Sequence, residues 1–170
     1  MKQAPRDRPS ARGLRVAIVR SLFNRPVTDG LLAGAREALA GMGAAPRRVA
    51  VFDLPGAFEL PLAAQAAARS GRFDAVVALG AVIEGETDHY EHVAREAASG
   101  LAAVARETGV PVAFGVLTVR QEEQARRRAA AGPGNKGAEA ARAAVMTVRA
   151  LRSIRTERAA SPARTGRRKR

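Results

Sequence analysis

One stretch of the chain combines residue types that can bind a phosphate with one that can move protons. It reads GAVIEGETDHYEHV, residues 80–93, and follows a short apolar run that we predict to be a strand. Gly85 and Thr87 come just before a helical pattern, predicted from about Asp88 to Glu107, and free backbone N–H groups at a helix start favour anions. His89 falls in the first turn, and histidine titrates near neutral pH. The stretch therefore indicates a phosphate site beside a proton shuttle.

A shared metal ion is an alternative use for the only two histidines, His89 and His92, which are three positions apart on the predicted helix. The chain has no cysteine, which excludes disulfides, thiolate metal sites and a cysteine nucleophile. It also lacks the H-E-x-x-H pattern of zinc proteases. We therefore predict no metal site.

Strands and helices alternate around this stretch. Four apolar runs have the profile of buried parallel strands, namely Leu14–Val19, Arg48–Phe52, Ala75–Leu79 and Val112–Leu117. Helical patterns separate them, and two more, at about 121–130 and about 136–151, follow the last strand. This order predicts an α/β fold with a parallel sheet of four strands flanked by helices.

Local signals place the first two helices. Thr28 or Asp29 can cap the first one. The second is predicted to contain Phe58 and Glu59, with Pro61 near its start, where a missing N–H is tolerated. The third is the helix that carries His89.

Parallel strands end at one edge of a sheet, so the segments that follow them should meet. These segments are residues 23–24, 56–59, 81–89 and 114–118. An aromatic ring, a carboxylate, a helix start and a histidine together could hold a flat heterocycle beside an anion. Taken singly, a phenylalanine such as Phe23 is more often a core residue, and a glutamate such as Glu59 is usually solvated. His89 alone is as compatible with a structural role as with a catalytic one. Lys136 and the arginines 126–128 likewise fit an exposed basic surface.

Length and composition indicate one domain with basic ends. The chain has 170 residues and a net charge of +13. We expect a flexible basic segment at 1–13, a folded domain at 14–155 and a basic, disordered tail at 156–170. Such segments are mostly solvated, but they also attract nucleic acid or other anions nonspecifically. The few aromatic residues and the absence of a zinc-finger spacing argue against sequence-specific recognition of nucleic acid.

The apolar runs also bear on location. None approaches the roughly 20 residues that a membrane-spanning helix needs. The basic start is not followed by an apolar segment, so no signal peptide is predicted. We expect a cytoplasmic protein without a membrane partner.

Five motifs occur in the order and spacing of a known family: SLFN at 21–24, LPGAFELP at 54–61, GAVIEGETDHYEHV at 80–93, FGVLT at 114–118 and GNKGAEAA at 134–141. Over residues 14–151 the chain resembles the lumazine synthases. The resemblance implies a flavodoxin-like three-layer sandwich and homopentamers, which in many members form shells of twelve pentamers. It also implies condensation of 5-amino-6-ribitylaminouracil with 3,4-dihydroxy-2-butanone 4-phosphate to 6,7-dimethyl-8-ribityllumazine, phosphate and water. This reaction needs no metal and no organic cofactor.

The resemblance also implies roles for single residues. His89 would transfer protons, Phe23 would stack on the pyrimidine, and Glu59 would accept hydrogen bonds from substrate hydroxyls. Other residues would line the substrate pocket (Asn24, Ala57, Phe58, Ala81, Val82, Ile83 and Lys136) or hold the phosphate (Glu86, Thr87 and Arg128). Phe114 would complete the pocket, and both it and Arg128 would come from a neighbouring subunit.

Two departures from the family pattern leave alternatives open. Glu84 replaces a usual arginine, and a carboxylate pointing inward there would weaken anion binding. AAAGP before GNKG replaces a pattern with a lysine, in a loop that bears on shell assembly. A flavin- or lumazine-binding module without turnover is therefore a second hypothesis. A shell whose basic tails gather anions is a third, compatible with catalysis.

Overall fold

A computed structural model describes residues 9–160, which form a sheet of four parallel strands between two layers of helices. The strands are β1 (Val16–Ser21), β2 (Val49–Leu54), β3 (Ala75–Ile83) and β4 (Val112–Val119). The helices are α1 (Arg25–Gly41), α2 (Leu60–Arg69), α3 (His89–Thr108), α4 (Glu122–Ala129) and α5 (Lys136–Ala160), and a short 3₁₀ helix spans Pro46–Arg48. The predicted fold class is confirmed.

The sheet has the strand order β2-β1-β3-β4 and separates two apolar cores. Alternate residues of a strand point to opposite faces. Thus Ile18 of β1 packs with residues of α1 and α5, whereas Val19 packs with residues of α2 and α3. Both strands in the middle, β1 and β3, are buried almost throughout. Their continuous apolar runs are typical of strands covered on both sides.

Strand β3 is longer than the sequence predicted. Residues 80–83, expected to form a loop, continue the strand and pair with β4 as far as Ile83 and Val119. The prediction was wrong because Gly80 suggested a turn. A Cβ there would instead lie 3.2 Å from a methyl carbon of Leu60, so the glycine serves close packing of α2 on the sheet.

Two helices begin at other residues than predicted. Asn24, not Thr28 or Asp29, is the N-cap of α1, because Pro26 lies within the first turn, where proline is favoured. Thr28 is buried inside the helix. Helix α2 begins at Leu60, so Phe58 and Glu59 precede it, and Pro61 lies in the first turn as predicted.

Helix α5 continues to Ala160, well past the predicted end near Leu151. With 25 residues it is about 37 Å long, longer than any of the four strands. Of the predicted basic segments 1–13 and 156–170, residues 1–8 and 161–170 lie outside the described residues, and 156–160 belong to α5. Within residues 9–160, no helix is both long and apolar enough to cross a bilayer.

Asn135 ties α1 to the connection between α4 and α5. Its side chain, 2% exposed, donates hydrogen bonds to the carbonyl oxygens of Gly30, Ala129 and Ala130 at 2.8–3.2 Å. Its Oδ1 accepts one from the Ala138 N–H at 3.0 Å, which caps α5. The three glycines at this junction, Gly30, Gly34 and Gly137, have no room for a Cβ. The helices can approach this closely only because these positions lack side chains.

Replacing Gly137 by alanine tests this junction. A Cβ would collide with the backbone carbonyl of Leu31, so α1 and α5 must separate. We expect Gly137→Ala to lower the free energy of unfolding by about 3 kcal/mol, at the upper end for overpacking.

Gly41→Ala is the matched control for this measurement. Gly41 ends α1 with open space around its Cβ position, so we expect a change of about 1 kcal/mol or less, towards higher stability. The two variants are compared by urea denaturation. Equal stabilities would contradict the close-packing argument.

Candidate active site

The larger cavity lies beyond the carboxyl ends of β1, β2 and β3 and has a volume of about 680 Å³. We call it the histidine cavity, after His89 and His92 in its wall. Three chain segments contribute most of its lining, Pro55–Glu59, Ala81–Ile83 and the turn into α3, together with Phe23 from the β1–α1 junction. The segments predicted to share one edge thus do meet, with the exception of the β4 segment.

Asn24 holds the β1–α1 junction in place. Its backbone is left-handed, with φ 57° and ψ 44°, a conformation that asparagine tolerates better than most residues. Its side-chain amide donates a 2.9 Å hydrogen bond to the carbonyl oxygen of Ala81 on β3. The expected pocket residue Asn24 therefore joins two strand ends, and its Oδ1 remains available as an acceptor.

Two phenylalanines flank the cavity with unusual exposure. The side chains of Phe23 and Phe58 are 68% and 58% exposed. Phe23 follows Leu22, whose N–H bonds to the Leu54 carbonyl oxygen at 2.7 Å, so the segment continues the strand pairing just before the turn. Rings held by such backbone contacts, and not buried in the core, can stack on a flat ligand.

The turn between β3 and α3 supplies Gly85, Thr87 and His89 to the cavity, whereas Glu86, expected at the phosphate, is not part of its lining. His89 is the first residue of α3, as predicted, and its ring is exposed. Within residues 9–160 the ring has no hydrogen-bond partner. It can therefore exchange a proton with a bound molecule.

Glu84 points away from the turn. Its backbone N–H pairs with the Val119 carbonyl oxygen at 2.9 Å, and its carboxylate lies 3.7 Å from the Arg120 guanidinium. Glu84 does not line the histidine cavity. The carboxylate is thus directed to the β4 side, and the departure from the family pattern does not place negative charge at the helix start.

A second cavity of about 430 Å³ lies along β4 and the start of α5, and we call it the arginine cavity. Phe114, Arg128 and Lys136 line it together with residues of β4 and α5. Phe114 was expected at the carboxyl edge of the sheet, and this was wrong. It pairs with Ala78 in the middle of the ladder, because β4 continues to Val119.

The two cavities have no lining residue in common. The histidine cavity is lined by one carboxylate, Glu59, and by no lysine or arginine, whereas Arg128 and Lys136 line the arginine cavity. Each cavity alone has only part of what a phosphate ester with a flat ring requires. The features predicted from sequence are therefore present but divided between two places on one chain.

Arg128 is the only member of the 126–128 cluster that faces the arginine cavity. Its guanidinium donates to the carbonyl oxygen of Gln124 at 3.0 Å, which orients the side chain along α4. Arg126 instead pairs with Glu122, and Arg127 is exposed. This geometry favours Arg128 over its neighbours as a phosphate ligand.

Sequence reasoning missed a buried ionic cluster under the β1–α1 junction. The Arg20 side chain, 7% exposed, donates two hydrogen bonds to the Asp53 carboxylate at 2.8 and 2.9 Å, and it also pairs with Asp29. The hydrogen bond to Arg20 lowers the pKa of Asp53 from its ordinary value, and the same bond raises the pKa of Arg20. The charged residue at the end of an otherwise apolar strand was the available signal.

Tyr90 and Val93 of α3 were missed as cavity residues. They are three positions apart, so they lie on one face of the helix beside His89. Both are half-buried and pack against the core on the α2–α3 side. Helical spacing from His89 could have identified them.

The Asp53 charge should make the stability of the original chain depend on pH, and removing it should abolish that contribution. Folding lowers the pKa of Asp53, so its carboxylate stabilises the folded chain at pH values above its unfolded pKa of about 3.9. This stabilisation is lost as the pH falls through the pKa that Asp53 has in the folded chain. We expect Asp53→Asn to lower the free energy of unfolding by roughly 1–2 kcal/mol at pH 7. This value lies between those of exposed and of buried ion pairs, because the Asp53 side chain is 43% exposed and solvent screens its charge.

Urea denaturation at pH 7 and at pH 3 checks this expectation. The difference between the variant and the original chain should shrink at the lower pH. A difference of the same size at both pH values would show that packing, and not charge, explains it.

Comparison with known proteins agrees with this arrangement. A family model described as 6,7-dimethyl-8-ribityllumazine synthase matches residues 13–152. The match covers all four strands, the complete lining of both cavities and most of α5. It ends before the last turns of that helix.

Proposed function

Because the chain belongs to the 6,7-dimethyl-8-ribityllumazine synthase family of riboflavin biosynthesis, a family of transferases, we propose that it carries out the family's reaction. It would condense 5-amino-6-ribitylaminouracil with 3,4-dihydroxy-2-butanone 4-phosphate to 6,7-dimethyl-8-ribityllumazine, phosphate and water. The observation that carries this proposal is the histidine cavity, where an exposed Phe23 ring, a helix start and His89 line one space. We also expect the reaction to take place in the cytoplasm.

The proposed pocket binds the pyrimidine between strand ends. The exposed ring of Phe23 would stack on it, and the backbone of Ala81, Val82 and Ile83 would bond its edge. Glu59, the N-cap residue of α2, would accept hydrogen bonds from the ribityl hydroxyls, since its side chain caps no backbone N–H. Ala57 and Phe58 complete this wall. Asn24 is outside the cavity lining, and its proposed role is to hold Ala81 in place through its 2.9 Å hydrogen bond.

The phosphate of the second substrate would lie at the start of α3. Thr87 and the free N–H groups of the first turn can donate hydrogen bonds to it. Glu86 remains proposed through its backbone alone, because its side chain is outside the cavity lining. A phosphate dianion also needs a cation, and the histidine cavity has no lysine or arginine in its lining.

That cation would come from another copy of the chain. We propose a homopentamer in which the arginine cavity of one copy faces the histidine cavity of the next, so that Phe114, Arg128 and Lys136 complete the site. The absence of shared lining residues within one chain supports this arrangement. A shell of twelve pentamers remains a further proposal, since the AAAGP loop differs from the usual family pattern.

His89 would move the protons of the reaction. The amine of the uracil attacks the ketone and water leaves to give an imine, without a protein nucleophile. Loss of phosphate then requires a proton shift along the carbon chain, and ring closure releases the second water. An imidazole near neutral pH can act as both acid and base in these steps. Holding both substrates in one site supplies much of the remaining acceleration.

Substituting His89 tests the catalytic role. Turnover is measured optically as lumazine formation from the two purified substrates, against a blank without protein, because the condensation also proceeds slowly unaided. We expect His89→Ala to lower kcat by roughly 10²-fold, the lower limit for a lost general acid–base group.

His92→Ala, one turn away on the same helix, is the matched comparison and should cost at most a few-fold. Equal losses of kcat in the two variants would contradict a specific role of His89 in proton transfer. A rate at the blank level in the unaltered protein would reject catalysis and favour the non-catalytic binding module.

A mixing experiment tests whether two copies share one site. His89→Ala and Arg128→Ala chains should each be nearly inactive alone. When they are co-expressed, some sites combine an intact His89 from one copy with an intact Arg128 from its neighbour, so activity should return in part.

The control for this experiment is a mixture of unaltered chains with chains that carry both substitutions. If each site lay within a single chain, every site in the mixture of His89→Ala and Arg128→Ala chains would still have one defect. Activity that does not recover would therefore place Arg128 and His89 in the same copy.

A further inference from the structure

The amino ends of the four strands form a second edge of the sheet, opposite the histidine cavity, and it is crowded with arginines. The segments before β1, β2 and β3 bring side chains there, and so do the last turns of α2 and α3, because these helices run antiparallel to the strands. We call this surface the arginine edge. Its members are Arg12, Arg15, Arg47, Arg48, Arg69, Arg72, Arg106, Arg149, Arg152 and Arg155.

Hydrogen bonds fix this edge as one surface. Asp74, before β3, exchanges backbone and side-chain hydrogen bonds with Arg15 at 2.7 Å, and its other carboxylate oxygen accepts one from Arg152 at 2.7 Å. Arg149 donates to the carbonyl oxygens of Ser10 and Arg12 at 2.8 and 3.0 Å. The segment before β1, the segment before β3 and helix α5 are thereby held side by side.

Negative charge is scarce at this edge. Asp74 pairs with Arg152, Glu107 lies 3.6 Å from Arg69, and Glu157 follows on the last turns of α5. Within residues 9–160, Arg47, Arg72 and Arg106 are exposed and have no carboxylate within 4 Å. A concentration of like charges lowers the stability of a fold unless an external anion compensates it.

We propose that the arginine edge binds the phosphate backbone of nucleic acid without reading its sequence. All members of the edge are arginines, whose planar guanidinium groups pair with phosphate oxygens in a bidentate manner. A chain of phosphates also matches a row of cations better than a single small anion does. The edge lies about 26 Å from the histidine cavity, the length of β3, so it does not compete for substrate.

The surface lacks what base recognition would need. Phe73 is the aromatic residue nearest the edge, but it is half-buried, packs against Phe52, and has the Arg72 guanidinium 5.5 Å above its ring. No free ring is therefore offered for stacking on a base. Among the described residues near this edge, Ile154 is 60% exposed and Phe52, in contact with Phe73, is 41% exposed. These scattered apolar side chains are too little to insert into a membrane.

The described part of the chain both begins and ends at this edge. Residue 9 adjoins the Ser10 contact with Arg149, and α5 ends at Ala160 just beyond Arg155. The sequence has further basic residues before residue 9 and after residue 160, namely Lys2, Arg6, Arg8, Arg164, Arg167, Arg168, Lys169 and Arg170. The edge and the two ends together account for most of the net charge of +13.

The test measures binding of the full-length protein to a short fluorescein-labelled DNA duplex of mixed sequence, by fluorescence anisotropy at several salt concentrations. Arg47→Glu/Arg72→Glu should weaken binding at least about tenfold at low salt. It should also lower the slope of log K against log salt by roughly 0.9 for each lost phosphate contact.

Arg127→Glu/Arg142→Glu is the matched control, because it changes the net charge equally at exposed positions of α4 and α5 away from the edge. Lumazine formation and thermal unfolding should be unchanged in both variants. Arg47→Gln/Arg72→Gln provides a milder version with a smaller loss of affinity. Equal effects of the edge and control variants would overturn the proposal.

Two further experiments distinguish binding by the arginine edge from binding by residues 161–170 and from binding to a membrane surface. A chain that ends at Ala160 should bind less tightly yet keep the difference between edge and control variants. Loss of all binding in that chain would assign the interaction to residues 161–170 and overturn the proposal. Binding to vesicles with anionic phospholipid as tight as to DNA, with the same dependence on Arg47 and Arg72, would identify a membrane surface instead.

Discussion

The pairing of β1 with β2 on one side and β3 on the other is the constraint on which the site depends. Since all strands are parallel, each crossover helix must return over a face of the sheet, and α1 and α2 take opposite faces. Between them the carboxyl ends of β1 and β3 lie open, the usual place for a ligand in such sheets. The hydrogen bond from Asn24 to Ala81 closes the floor of that opening.

The same geometry separates two kinds of chemistry. Aromatic rings, carbonyl edges and a histidine gather where the strands end, whereas Arg128 and Lys136 lie along the free side of β4. At the other end of the strands the surface is strongly basic. The shared direction of the strands therefore gives the chain three separate surfaces, which are the histidine cavity with Glu59, the arginine cavity beside β4 and the arginine edge.

Much of this could be predicted from the sequence. The four apolar runs predicted the strands, and the position of His89 at the start of α3 followed from the change in pattern after Asp88. Strand ends were less predictable. Glycine is typical of turns, and only the packing of Leu60 against Gly80 in the folded chain explains why a glycine lies within β3. The position of Phe114 and Arg128 depends on how far β4 pairs with β3. That pairing joins residues far apart in the sequence, so local patterns do not predict it. The partners of Arg20, for the same reason, could not be found from local spacing.

The junction at Asn135 limits how the sequence can drift over evolutionary time. The Asn135 side chain fills the space that a Cβ atom at position 34 would occupy. It also donates hydrogen bonds to carbonyl groups of α1 and of the α4–α5 connection. A larger residue at position 34 would be accepted only together with a shorter one at 135, which would leave those carbonyls unpaired in the interior. Positions 30, 34, 135 and 137 should therefore change jointly or not at all. We expect this group to persist in distant relatives whose surfaces have diverged.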